Sequence, residues 1–223
     1  LVVHPGIKGD RGPSSLDWAL MNRETRWGVT VLQADAEMDA GDIWATQEFP
    51  MRAGRKASLY RNEVTEAAVA AVLEAVARVE AGGFRPEPLD YQRADVRGGW
   101  QPAMKQADRA IDWARDDTAT VLGKIRAADS QPGVLDRIAG VRAYVYDAHA
   151  ETNLSGRPGE MLARREGAVC RATVDGAVWL AKVEVDEGEN MKLAGHYRVR
   201  GFPTLILFEE GIEKGRFSSA HPR

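Results

Sequence analysis

Val3-His4-Pro5-Gly6 and Met38-Asp39-Ala40-Gly41-Asp42-Ile43 decide how this chain is read. Residues 1–3 are apolar and have the character of a strand end, and Pro5-Gly6 turns the chain immediately after the histidine. Asp39 lies on a Gly-containing loop. A histidine on a post-strand turn, paired with such an aspartate, suits acyl transfer. The imidazole protonates or hydrogen-bonds a carbonyl oxygen as it becomes an oxyanion, and the carboxylate holds and charges the ring.

The surrounding pattern supplies a frame for that pair. Gly9-Asp10-Arg11-Gly12-Pro13 leads into a helix predicted over 15–22, where Ser14 and Asp17 have capping-box spacing. Residues 28–33 and 43–49 read as strands on either side of the Asp39 loop. A helix is expected over 58–81, with Leu59, Val64, Ala68, Val72, Ala75, Val76 and Val79 on its buried face, stopped by Gly82-Gly83. The Pro/Gly-rich stretch 82–102 reads as a connection. Beyond it come a short helix near 118–128, a Ser130-Gln131-Pro132-Gly133 turn, and strands near 140–147, 159–163, 168–174 and 177–185, a spacing that suggests a small β-barrel. The end reads as a strand over 181–186, a helix over 190–197, a Gly201-Phe202-Pro203-Thr204 turn and a hairpin of 204–210 with 213–219.

Composition removes several classes of function. The 223 residues carry 30 Lys/Arg and 33 Asp/Glu, a formal net charge of −3, and neither sign dominates any part of the chain. No basic surface for nucleic acid is expected. Cys170 is the single cysteine, which excludes an intrachain disulfide, a CxxC redox pair and a cysteine-cluster metal site; it reads as a buried core thiol. His149, His196 and His221 lack ligand-like spacing, so no metal is expected. There is no signal peptide and no run of about 18 apolar residues, so a cytoplasmic protein without membrane association is expected.

Residues 1–90 resemble the second half of the catalytic domain of the formyltetrahydrofolate-using formyltransferases, on His4, the Gly-containing loop after it, Gly28-Val29-Thr30 and Met38-Asp39-Ala40-Gly41-Asp42-Ile43. Residues 100–180 resemble that family's small C-terminal domain, on Ile111-Asp112-Trp113, Ile125-Arg126-Ala127, Pro132-Gly133 and Gly159-Glu160-Met161-Leu162. The run Gly6-Ile7-Lys8-Gly9-Asp10-Arg11-Gly12-Pro13-Ser14-Ser15 looks less like the methionyl-tRNA formyltransferases. It is closer to hydrogenase maturation factors that join a formyltransferase-like half to an enoyl-CoA-hydratase-like half. The resemblance implies His4 and Asp39 as catalytic residues and 10-formyltetrahydrofolate as one-carbon donor. For the maturation factors it also implies coenzyme A as an acceptor, hydrogenase maturation proteins as partners and a role in making the carbon monoxide ligand of nickel–iron hydrogenase. The family's asparagine two residues before the histidine is Val2 here; valine donates no side-chain hydrogen bond, so transfer at full rate is not expected. Gly9, Arg11 and Ser14 are the expected substrate-binding residues: the loop either cradles a phosphate or carboxylate or is a tight turn with an N-cap.

Residues 181–223 resemble the second half of a thioredoxin fold, with Pro203 at its cis-proline. The expected fold class is α/β: the C-terminal part of a formyltransferase-type Rossmann-like domain, a small OB-like open β-barrel and a partial thioredoxin-like α/β segment. The expected division is 1–90, a linker over 91–108, the barrel over 109–182 and the thioredoxin-like half over 183–223. Because the resemblance starts in mid-domain, Leu1 is expected to be an internal codon and the final segment to come from another reading frame. Roughly 80–100 residues of preceding βαβ units would be missing, so weak or no turnover is expected. The expected function is handling of a folate-borne formyl group as a one-carbon transferase within a maturation factor. A non-catalytic thioredoxin-like docking or chaperone module is the alternative, and a methionyl-tRNA formyltransferase-like enzyme the second.

Overall fold

The computed structural model describes residues 1–130, 132–165, 167–185, 204–209 and 212–218. The expected helix over 190–197 and the turn containing Pro203 lie outside the described residues.

The first sheet has three antiparallel strands in sequence order, β1 (Val2–His4), β2 (Arg26–Leu32) and β3 (Ile43–Pro50). Antiparallel neighbours need only short connections, and two loops suffice: one holding helix α1 (Ser15–Met21), the other holding Asp39. His4 pairs with Thr30, and Thr30 pairs with Thr46, so the histidine's register is set across the whole sheet. Ile7, Leu16, Leu20, Trp27, Val29, Phe49 and Leu59 form the core on one side.

Behind this sheet runs one continuous helical stretch: α2 (Lys56–Leu59), a π-helical turn (Tyr60–Val64) and α3 (Thr65–Ala81). A π turn accommodates one extra residue and rotates everything after it. Leu59 and Val64, five positions apart, are therefore both buried, and the stripe continues through Ala67, Ala71 and Ala75. Thr65 Oγ1 donates to the Tyr60 carbonyl at 2.6 Å, occupying an acceptor within that turn. The sequence-based face is corrected: Val76 and Val79 are exposed, because α3 meets the core through Ala67, Ala71 and Ala75, with Val76 about 100° around the helix from Ala75 and Val79 in the last turn. Alanines at the contact let α3 lie close on Val31 and Ala45.

Ser14 also departs from expectation. Its side chain makes no cap bond to α1; Ser14 Oγ instead accepts the Met104 N–H at 2.9 Å. Asp17 pairs with Lys56 at 2.9 Å and ties α1 to α2.

Helix α4 (Thr118–Ala127) is capped by Asp117, whose carboxylate accepts the Thr120 N–H at 2.6 Å. Ala127 enters the first core, while Val121, Leu122 and Ile125 enter the second. That second core covers a five-stranded antiparallel sheet in the order β4-β5-β8-β7-β6: β4 (Val134–Ile138), β5 (Val141–Glu151), β6 (Met161–Arg165), β7 (Ala168–Ala172) and β8 (Ala177–Val185). β4 was not anticipated as a strand. No closure of this sheet into a barrel occurs among the described residues: β4 and β6 lie at its two edges. Cys170 is fully buried within β7, and burial pushes its thiol upward. Arg171 stacks on Trp113, and both bond to Asp136. β9 (Thr204–Glu209) and β10 (Ile212–Ser218) pair antiparallel as a hairpin.

Candidate functional site

His4 ends β1, and three side chains, one from α1 and two from β2, hold the turn that follows. Ser15 Oγ and Trp27 Nε1 donate to the Pro5 carbonyl at 2.7 and 3.0 Å, and Thr30 Oγ1 donates to the Gly6 carbonyl at 2.9 Å. The imidazole is 4% exposed and stands between two carboxylates. Its Nε2 is 2.8 Å from Asp10 Oδ2, and its Nδ1 is 3.4 Å from Asp39 Oδ2. A carboxylate only accepts, so the ring satisfies both neighbours only with a proton on each nitrogen. Asp39 also accepts the Gly12 N–H at 3.1 Å.

The His4–Asp39 juxtaposition agrees with the sequence reading; Asp10 was missed. Its sequence setting, Gly-Asp-Arg-Gly, signals a turn and nothing more. Only the fold reveals that this turn folds back under the histidine.

The Asp39 loop is closed at its neck, where Gln33 N–H donates to the Asp42 carbonyl at 2.7 Å and Gly41 approaches the Gln33 carbonyl too closely for a side chain. Asp42 thus contributes through its backbone. Asp39 itself has φ 54°, a left-handed conformation that costs a non-glycine residue energy and concentrates at functional positions. Arg11 ties the two loops together: Nε donates to the Met38 carbonyl at 3.0 Å, and the guanidinium pairs with Glu37 at 2.7 Å and lies over Trp100. The hydrogen bond to Glu37 raises the Arg11 pKa further, so its charge is permanent.

Residues 91–102, read as part of a linker, run as a strap along the loop 8–12. Arg97 and Gly98 N–H donate to the Lys8 carbonyl, Arg11 N–H to the Gly99 carbonyl, and Gln101 N–H to the Arg11 carbonyl. Tyr91 hydroxyl donates to the Gly9 carbonyl at 2.9 Å. Gly9 is consequently buried, with Val96 filling the space a side chain would take, and Ser14 is bonded to Met104. Of the three expected substrate-binding residues, Arg11 is the one held beside the His4–Asp39 pair.

Beside the strap, a cleft of about 380 Å³ is bordered by Lys8, Thr46, Arg78 and Phe84. Thr46 Oγ1 is buried there without a hydrogen-bond partner in the protein. Among the described residues no cluster of His, Cys, Asp and Glu is arranged to hold a metal ion, and no helix is long and apolar enough to cross a membrane.

Residues 103–200 match the family described as formyl transferase, C-terminal domain. Over 193 residues the chain is 52% identical to the hydrogenase maturation factor HoxX of Bradyrhizobium diazoefficiens, an alignment covering 86% of this chain and 34% of HoxX. The structure of HypX from Aquifex aeolicus in complex with tetrahydrofolic acid is 46% identical and superposes with a TM-score of 0.74, over 89% of this chain and 35% of HypX. Methionyl-tRNA formyltransferase of Syntrophus aciditrophicus is more distant, 25% identical over 88% of this chain and 62% of that enzyme. The chain therefore spans about a third of the length of the maturation factors it matches. The matched stretch includes α4 and the five-stranded sheet, and the His4 site lies outside its bounds.

Proposed function

We propose that this chain handles the formyl group of 10-formyltetrahydrofolate, working in a hydrogenase maturation factor of the HoxX and HypX type. The observation that carries the reading is the buried His4 set 3.4 Å from Asp39, in a chain that is 52% identical over 193 residues to about a third of HoxX. Tetrahydrofolate bound to HypX supports folate as the donor skeleton.

In this reading His4 and Asp39 are the catalytic residues. A nucleophile, coenzyme A thiol in the maturation pathway, bonds to the formyl carbon and the carbonyl oxygen gathers negative charge. A ring N–H of His4 stabilises that oxyanion, and Asp39 favours the charged ring. The intermediate collapses by breaking the bond from carbon to the folate nitrogen, which takes up a proton as it leaves. Arg11 supplies a fixed positive charge on the substrate side, and Gly9 and Ser14 act through the shape of the loop. The 380 Å³ cleft beside the strap, with the Thr46 hydroxyl unpartnered, offers room for part of the folate.

The same reading makes hydrogenase maturation proteins the partners and the cytoplasm the location. It divides the chain at 1–90, 91–108, 109–182 and 183–223, assigns the five-stranded sheet to an OB-like arrangement, and gives the last segment a thioredoxin-like origin. The test is direct. The purified chain is titrated with a folate analogue by calorimetry, and formyl transfer or release is followed for the wild type, His4→Ala and Asp39→Ala. Binding by all three, with turnover lost in both variants, is expected. Folate binding with turnover insensitive to His4 would overturn the assignment.

A further inference from the structure

Resting on the formyl-transfer reading, we propose that Asp10 is the positioning residue of His4, gripping Nε2 so that Nδ1 is the nitrogen that meets the reacting carbonyl. In the sequence-based assignment Asp39 had that orienting task. Four observations separate the two carboxylates.

The Nε2–Asp10 distance of 2.8 Å is that of a strong charge-assisted hydrogen bond, whereas 3.4 Å from Nδ1 to Asp39 lies beyond the usual N–H···O range. Asp39 has a second claim on the same oxygen, the Gly12 N–H at 3.1 Å. The Asp10 side chain is 2% exposed and that of Asp39 is 12% exposed, so solvent and ligand approach from the Asp39 side. The backbones differ as well. Asp10 N–H bonds to the Ile7 carbonyl and Gly98 is pressed against it from the strap, while Asp39 occupies a left-handed position on a loop whose residues 34–38 are exposed. A carboxylate that orients a ring must itself be fixed, and Asp10 is the fixed one.

Gly6 reinforces the point. A β-carbon there would collide with both Asp10 Oδ2 and His4 Nε2, so the chain leaves room for this contact by having no side chain at that position. With Nε2–H committed to Asp10, Nδ1 exchanges the proton. It accepts the proton of the attacking nucleophile as the new bond to the formyl carbon forms, and returns it to the folate nitrogen as the old bond breaks. Asp39 then acts across the substrate side, steadying the positive ring.

Imidazole ¹⁵N shifts, recorded where the rings are neutral and assigned with His4→Gln, read the tautomer without any folate. The wild type and Asp39→Ala are expected to hold His4 as the Nε2–H tautomer. Asp10→Ala is expected to move the proton to Nδ1, because Asp39 is then the remaining carboxylate at the ring. A wild-type Nδ1–H tautomer, or loss of the Nε2–H tautomer in Asp39→Ala, would overturn the proposal even where Asp10→Ala does not fold. In the transfer assay Asp10→Ala lowers kcat by about 10²–10⁴-fold, the range of general acid–base catalysis, with KM for the donor little changed. Asp10→Asn, which keeps an acceptor for Nε2–H, restores a substantial part. Wild-type protein without any transfer would defeat the formyl-transfer reading while the tautomer still decides the role of Asp10.

Discussion

Gly98 lies against Asp10 so closely that a β-carbon on the glycine would fall inside the van der Waals shell of the aspartate's backbone nitrogen. The strap and the loop 8–12 are therefore packed backbone to backbone. A methyl at this point cannot be absorbed by rotating a side chain. Gly98→Ala is expected to destabilise the chain by about 1–3 kcal/mol, the range for overpacking, measured by urea unfolding. It should also loosen residues 8–12, read as faster amide exchange at Asp10 and Arg11, because the Lys8 and Arg11 bonds to the strap depend on the same approach.

Gly6→Ala isolates the His4–Asp10 contact from the rest of the turn. The added methyl collides with both side chains of the pair. Formyl transfer or release is expected to fall by at least 10²-fold, the lower end of what a displaced acid–base group costs. Far-ultraviolet circular dichroism should stay unchanged, since the Pro5 and Gly6 carbonyls keep their donors from Ser15, Trp27 and Thr30.

The buried face of α3 makes a paired prediction. Ala71 is fully buried against the first sheet, and Ala71→Leu should cost about 1–3 kcal/mol by overpacking. Val76 is 44% exposed, and Val76→Ser should change stability by no more than about 0.5 kcal/mol, as surface substitutions do. Chemical denaturation of the two variants distinguishes this buried face from the one expected from the sequence, which put Val76 inside.

Asp95 anchors the strap to the loop. Its hydrogen bond to Lys8, and then that to Arg93, hold its carboxyl at about 2, below the ordinary 3.8. A carboxyl depressed in the folded state contributes stability that is fully present above the unfolded value and is lost as pH falls through the folded one. The stability difference between wild type and Asp95→Asn should therefore be constant above about pH 4 and shrink toward about pH 2. Urea unfolding across that window checks the sign. A difference that grew on acidification would contradict it.

Local chemistry in the chain was enough for the three strands of the first sheet, the turn after His4, helix α4 and most strands of the second sheet. Alternation, Gly and Pro positions and capping act within a few residues of where they are written. The His4–Asp39 pair was legible for a different reason: both residues sit in motifs long enough to carry a family resemblance, and the tertiary structure places them 3.4 Å apart. What escaped the sequence depends on contacts between distant segments. Val76 and Val79 looked buried because valines at helical spacing suggest a core face, whereas packing on the first sheet selected the alanine face of Ala67, Ala71 and Ala75. Ser14 looked like a helix cap until residue 104 arrived to compete for its hydroxyl. Residues 91–102 looked like a linker because Gly, Pro and charged residues suit one, yet their backbone bonds to loop 8–12 make them a wall of the site. Asp10 is the sharpest case. A buried carboxylate in a turn carries no signature of its own, and its partnership with His4 exists only because Gly6 leaves room and Gly98 presses the turn home.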